Sequence, residues 1–219
     1  MISYFPSAGG LKKAILEYGT IAYVLSTEVT SAALASIKSK IYAIFNYSTD
    51  GIYMSTYSSA TRLEFVSAPN CSYVGRGAFS DCSRLKNINL FACTSIGYAA
   101  FRNCYSLTSI ILPNCTEIIG SATSTYGAFY HCYNLSIISL PNISSIGAYT
   151  FAECSALNAV YLMNSVVCTI PASSVFLSTP ITNSTYTGTF GSIYVPASLL
   201  ASYQAATGWK NISARIVGI

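Results

Sequence analysis

Five cysteines, Cys71, Cys82, Cys93, Cys104 and Cys115, fall on an 11-residue grid. A strict spacing of this kind restricts the chain to an architecture that returns to the same place at a fixed interval. The grid is half of a longer period. Aligned on the cysteines, the chain reads LEFVSAPNCSYVGRGAFSDCSR from Leu63, LKNINLFACTSIGYAAFRNCYS from Leu85, LTSIILPNCTEIIGSATSTYGAFYHCYN from Leu107 and LSIISLPNISSIGAYTFAECSA from Leu135. A fifth copy, LNAVYLMNSVVCTI, begins at Leu157 and degenerates. Three copies are 22 residues long; the third has 28, lengthened around Ile118 and through SATSTY. The shared template is L-x-x-I-x-L-P-N-C-x-x-I-G-x-x-A-F-x-x-C-x-x.

One such repeat cannot bury its apolar residues by itself, whereas stacked repeats bury them in a continuous core. Leu85, Ile88, Leu90, Ile96 and Phe101 are expected to point inward, together with their equivalents one coil away. Cysteine is small and mildly apolar, and suits narrow inner corners. Two cysteine columns follow: Cys71, Cys93 and Cys115, continued by Ile143, and Cys82, Cys104, Cys132 and Cys154. Isoleucine in the first column shows that an apolar filler serves there. Disulfides fit poorly. Same-column residues lie about one strand spacing apart, ~4.7–4.9 Å, and parallel side chains hold their Cβ atoms beyond the ~3.8 Å a bridge prefers. The eight cysteines are expected to be reduced and buried. Metal binding is not expected, since no C-x-x-C pair accompanies the single histidine.

With 219 residues, 52% apolar and only 8% charged, the chain can fill one large core, with or without a small appendage. A net charge of +4, spread thinly, argues against a nucleic-acid partner. No apolar run approaches the ~18–20 residues of a spanning helix. The start, MISYFPSAGGLKKAILEYG, lacks the order of a secretory signal, so no signal peptide is expected in this chain.

The repeat resembles a known family. L-x-x-I-x-L-x-x-C is close to the leucine-rich-repeat consensus, and IGYAAFRNC and IGAYTFAEC resemble the BspA-type leucine-rich repeats of bacterial surface proteins, also found in some protist surface proteins. The resemblance covers about Leu63 to Ile170, and GSIYVPASLLASYQAATGWKNISARIVGI is similar to the segment that closes such arrays. It implies a right-handed leucine-rich-repeat solenoid, mostly β with short helices in its terminal caps, used for adhesion or protein binding and carrying no catalytic residues or cofactor.

Three regions are expected on this basis: an N-terminal α+β cap or attachment segment over 1–62, repeats over 63–170, and a C-terminal cap over 171–219. Within the first, Leu11, Ala14, Ile15 and Tyr18 have helical spacing. TIAYVLST reads as a strand, Val29 to Ile37 as a second helix, and IYAIFNYST-DG-IYMSTYSS as a hairpin turning at Asp50-Gly51. In the last, a helix over 196–207 carries Leu199, Leu200, Tyr203 and Ala206 on one stripe that can cover the final coil, joined by Trp209. ARIVGI reads as a closing strand.

Catalysis needs titratable groups that converge. Seven acids are scattered along the chain. One column does stack polar residues, Asp81, Asn103, His131 and Glu153, but Cys132 next to His131 belongs to the core, and the column reads as a solvated turn. The chain is therefore not expected to be an enzyme. Binding is the better reading. Residues flanking the inward side chains of the repeat strand form rows on one face: Phe65, Asn87, Ser109, Ile137 and Ala159; Ser67, Asn89, Ile111, Ser139 and Tyr161; Pro69, Phe91, Pro113, Pro141 and Met163. Phe65, Asn87, Asn89, Phe91, Ser109, Ile111, Ile137, Ser139 and Tyr161 are the candidate ligand-binding residues, with Tyr126 beside the SATSTY excursion. Tyrosine offers contact area and a hydroxyl at low entropic cost, and the chain has 18. The expected function is recognition or adhesion toward a host or cell-surface protein or glycan, at a bacterial surface, outside the cell or on a virion. The alternative is a structural subunit, forming a homo-oligomer or larger assembly through residues 1–60.

Overall fold

The computed structural model describes residues 3–6, 11–15, 21–25, 40–46, 49–121, 126–183 and 191–219. The chain winds as a leucine-rich-repeat solenoid whose four central coils each carry two short parallel strands. The longer of the two gives β4 (Ala43–Asn46), β5 (Phe65–Ser67), β7 (Asn87–Asn89), β9 (Ser109–Ile111), β11 (Ile137–Ser139) and β13 (Ala159–Tyr161). The shorter gives β6 (Tyr73–Val74), β8 (Ser95–Ile96), β10 (Glu117–Ile118) and β12 (Ser145–Ile146), which form one continuous sheet. The third side of each coil is a turn held by backbone bonds to the next coil, as in Phe79 N to Ala100 O at 2.8 Å and Phe101 N to Ala128 O at 2.7 Å.

The template residues explain themselves in this frame. Leu85, Leu90, Ile96 and Phe101 are fully enclosed. The phenylalanine column is a single stack of rings, Tyr57, Phe79, Phe101, Phe129, Phe151 and Phe176, with successive centroids 5.1–5.7 Å apart. Trp209 closes it, 6.1 Å from Phe176. The template asparagine ties coil to coil, for Asn114 Nδ2 donates to Phe91 O at 2.7 Å and Asn142 Nδ2 to Pro113 O at 2.6 Å. The template glycine stands where coils press together: a Cβ on Gly97 would lie 2.7 Å from the backbone nitrogen of Arg76. Ile88 departs from the expectation that it points wholly inward; it is only partly buried.

All eight cysteines are buried and free. They do more than fill corners. In the second column each thiol donates to the aromatic carbonyl of the preceding coil, Cys82 to Tyr57, Cys104 to Phe79, Cys132 to Phe101 and Cys154 to Phe129, at 3.1–3.3 Å. In the first column the thiol donates within its own coil, Cys71 to Tyr73 O at 3.0 Å and Cys93 to Ser95 O at 3.2 Å. An S–H is a weak donor, which is why Ile143, fully buried, can replace it. Burial pushes Cys93, Cys132 and Cys168 up to about 12 and Cys115 up to about 11. Such thiols hold almost no thiolate at neutral pH and are inert. Denaturation without reductant should expose eight titratable sulfhydryls, whereas the native protein should leave them unmodified; a count of zero would mean four bridges and overturn the packing described above.

The N-terminal region differs from the sequence expectation. Leu11–Ile15 is a strand, β2, and not a helix; it pairs antiparallel with β1 (Ser3–Pro6) and β3 (Ile21–Leu25). β3 pairs parallel with β4, so these strands extend the long-strand sheet beyond the coils. The second helix expected over Val29 to Ile37 lies outside the described residues. The hairpin at Asp50-Gly51 does not form: β4 pairs parallel with β5, while Ile52 bridges Val74 in the short-strand sheet. Ile41 to Arg62 is instead one more coil. Its Ile41, Ile44, Ile52, Tyr57 and Ala60 occupy the core positions of Leu63, Val66, Val74, Phe79 and Cys82. Of the template positions only the two isoleucines, Ile44 and Ile52, keep their residue type there, and Asp-Gly imitates a two-residue turn.

At the other end, β14 (Ser192–Val195) and β15 (Ile216–Gly218) complete the long-strand sheet. Helix α1 (Leu200–Ala205), preceded by a 3-10 turn over Ala197–Leu199, covers the last coil. Tyr203 and Trp209 are fully buried there; the Tyr203 hydroxyl accepts from Cys168 N at 3.0 Å and Trp209 Nε1 donates to Cys168 O at 2.7 Å.

Candidate functional site

The long-strand sheet is not continuous. β5 and β7 pair in register, as do β9 and β11, but no ladder joins β7 to β9. The flanking bonds tell the same story. Leu112 N donates to Ser139 O at 3.0 Å and Ser136 N to Thr108 O at 2.9 Å across one step, and Ala68 N to Asn89 O at 2.9 Å and Lys86 N to Glu64 O at 3.0 Å across another. Their equivalents between β7 and β9 are missing among the described residues. The gap is closed at both ends, by Ser106 N to Ser83 O at 3.2 Å and by Asn114 Nδ2 to Phe91 O at 2.7 Å. The short-strand sheet passes the same step unbroken, through Ser95 paired with Glu117 and Ile96 with Ile118. The interruption falls where a 22-residue coil meets the 28-residue one.

Over this break lies a groove of about 400 Å³, lined by Phe65, Lys86, Asn87, Ile88, Asn89, Phe91, Ser109, Ile110, Ile111 and Pro113. Its volume is within the ~300–1,000 Å³ range of ligand sites. Six of the candidate residues meet here: Phe65, Asn87, Asn89, Phe91, Ser109 and Ile111. Phe91 and Ile111 stand out from the wall, 61% and 67% exposed. Lys86 Nζ sits 2.8 Å from the Glu64 carboxylate, which also receives Arg84 at 3.5 Å, so two cations share one anion beside the groove. The groove therefore presents apolar surface, two side-chain amides and a hydroxyl, with the Lys86 ammonium at its edge.

Ile137, Ser139 and Tyr161 lie on the same sheet, on β11 and β13, beyond the groove. Ile137 is exposed, while Tyr161 is half-buried with its ring stacked 4.8 Å from Tyr194. Tyr126 is elsewhere, between β10 and the next turn, against Tyr130 at 5.3 Å and under the Arg102 guanidinium at 4.2 Å. Lys86 and Ile88 escape sequence reasoning: the template marks Ile88 as core, and nothing in the period signals an interrupted ladder.

The polar column has a backbone cause. Ser59, Asp81, Asn103, His131 and Glu153 all adopt φ near +60°, a region that Asn, Asp and His enter most readily after glycine. His131 stacks on Tyr130 at 3.9 Å and near Tyr133 at 5.0 Å. Burial holds its pKa below the ordinary value, opposed by Glu153. Cys132 points the other way, into the core.

A family model described as BspA-type leucine-rich repeat region matches residues 50–126 and 92–197, in six copies. This chain belongs to the BspA-type leucine-rich-repeat family. Its structure resembles the leucine-rich-repeat protein of T. pallidum, at 17% identity and TM-score 0.52 over 81% of each chain. It also resembles a leucine-rich-repeat protein from Bacteroides ovatus, at 21% identity and TM-score 0.50. That match covers 89% of this chain and 53% of the other, so the BspA-type chain spans about half of that relative. A comparison with curated proteins found no match. Among the described residues no helix is long and apolar enough to cross a membrane.

Proposed function

We propose that this BspA-type repeat protein is a non-enzymatic recognition module that binds a protein partner through its long-strand face, anchored at the groove between β7 and β9. The exposed pair Phe91 and Ile111 carries this reading. Large apolar side chains that stand in solvent above a built groove are what interface hot spots use, and the solenoid core has no need of them. Apolar Ile137 and Met163 continue the exposed surface along the same sheet, which favours a protein over a glycan. The leucine-rich-repeat family supports an interaction role, and its bacterial surface members support an extracellular or cell-surface setting for adhesion. A second reading, an assembly subunit docked through the N-terminal segment, draws on β1, which ends the long-strand sheet as an edge strand.

The test uses host-surface protein fractions captured on the full chain, compared with a Phe91→Ala/Ile111→Asp variant. Loss of the specific captured protein by at least tenfold, with a melting temperature within about 2 °C of wild type, is the expected result. Unchanged capture would remove this face from consideration. Tyr161 is a poorer probe than the sequence suggests, because its stacking on Tyr194 would confound binding with stability.

A further inference from the structure

The period gathers charges that lie far apart in the sequence. In three successive coils the residue before the first core position is Lys40, Arg62 and Arg84, ahead of the buried Ile41, Leu63 and Leu85. Backbone bonds fix this register: Glu64 N donates to Tyr42 O at 2.8 Å and Lys86 N to Glu64 O at 3.0 Å. The three cations therefore form a row across the coils at about a strand spacing, ~4.7–4.9 Å, just ahead of the long strands. Lys86 adjoins its last member, and all four are exposed. Among the described residues the one acid paired with them is Glu64, whose side chain is 15% exposed and receives both Arg84 and Lys86. Asp81, three residues before Arg84, instead accepts from Ser80 Oγ at 2.8 Å and Asn103 Nδ2 at 2.6 Å. Four cations thus meet one paired acid, on a chain whose whole net charge is +4. The row then stops, for Ser106, Asn134 and Ala156 hold its position in the next coils. Lys86 is where it meets the groove, whose lining it shares with Phe65, Phe91 and Ile111.

We propose that the partner meets this face with a short acidic segment next to apolar side chains, its carboxylates on the row of Lys40, Arg62 and Arg84 and its apolar residues on Phe91 and Ile111. The inference rests on the protein-binding reading of this face and names the chemistry of the partner. Charge complementarity selects the acidic end. Lys40 and Arg62 take no part in the ion pairs of the described residues, so a carboxylate arriving there displaces no internal one. Arg84 and Lys86 are already held by the largely buried Glu64, and groups fixed before binding lose less freedom on it. The length of the row selects a peptide. Two coil steps span about 10 Å, room for two or three carboxylates on alternate residues of an extended chain. A sulfated polysaccharide carries its anions in a long uniform series and is served by a row that continues, whereas this one gives way to an apolar groove.

The probe is a displayed library of random dodecapeptides, selected on the immobilised full chain. The expected result is an enriched family in which Asp or Glu residues adjoin an aromatic or aliphatic one. A Lys40→Glu/Arg62→Glu variant, changed only at exposed side chains, should keep its melting temperature within about 2 °C. It should slow association of the selected peptide about tenfold or more in about 0.1 M salt, since charges at the rim of an interface act mainly on association. The difference should shrink below about twofold in about 1 M salt, where the screening length falls from ~10 to ~3 Å. Enriched peptides without acids, equal association by the variant, or a library that enriches nothing would overturn the proposal. Heparin binding lost in the variant, with no peptide enriched, would assign the row to a sulfated polysaccharide instead. If neutral peptides are enriched and depend on Phe91 and Ile111, only the acidic inference fails. If acidic peptides bind the row but are indifferent to Phe91→Ala and Ile111→Ala, the reading of the groove falls and takes this proposal with it.

Discussion

Phe101→Ala should be the most damaging single substitution in the array. The ring is fully buried and stacks on both neighbours, 5.4 Å from Phe79 and 5.1 Å from Phe129. Truncation leaves a cavity and also removes two stacking contacts. Phenylalanine to alanine in a core costs about 3–5 kcal/mol, which for a chain of this size lowers the melting temperature by roughly 6–20 °C. Coils contact only their neighbours, so the loss also weakens coupling between the two halves of the array. Urea unfolding of the variant should be broader, with a lower slope, than that of wild type. Tyr57→Ala, which removes a ring stacked on Phe79 alone among the described residues, should cost less. Equal costs at the two positions would show that the stack is not a continuous element.

The second large effect is alkaline. Burial raises the folded-state pKa of the thiols above that of the unfolded chain, near 8.5. Their contribution is whole below that value and is lost as pH rises through it toward about 11 for Cys115 and about 12 for Cys93, Cys132 and Cys168. Each thiol that ionises only on unfolding subtracts about 1.4 kcal/mol per pH unit in that window. Four acting together exhaust a typical stability of about 5–15 kcal/mol within one to three units. Stability should thus be flat from pH 6 to 8, decline above pH 9 and vanish near pH 10–11, followed by thiolate absorbance at about 240 nm appearing with unfolding. Cys115→Ile, which repeats the residue its column holds at 143, should unfold at higher pH. Thiolate appearing before the loss of secondary structure would show that the cysteines are open to water.

The solenoid was legible because its period is carried by core residues. Leucine, isoleucine, phenylalanine and cysteine recur where the interior is narrowest, and their identities report their burial directly. Legibility ended where a coil kept the shape but not the letters. Ile41 to Arg62 satisfies the same interior with Tyr57 for phenylalanine and Ala60 for cysteine, so a residue-type template passes over it. Leu11 to Ile15 failed for another reason: five residues are too few for period alone to separate helix from strand, and pairing with neighbouring strands decided the outcome. For the candidate site, the rows of outward residues followed from alternation on β5, β7, β9, β11 and β13. Their convergence on one groove did not, since it depends on a missing ladder, and hydrogen bonds between backbones leave no mark on side-chain identity.

That missing ladder sets the mechanics of the object. A stacked column bends most readily where its transverse stiffness is lowest, and here one of its flanks lacks its strand ladder across a single step, tied only at the two ends of the gap, while the opposite flank stays fastened. Curvature changes should therefore concentrate at the junction between Asn89 and Ser109, with the segments on either side moving as stiff bodies about the fastened flank. Phe91 and Ile111, the proposed anchors, stand on opposite lips of that joint, so a partner gripping both would also fix the angle there.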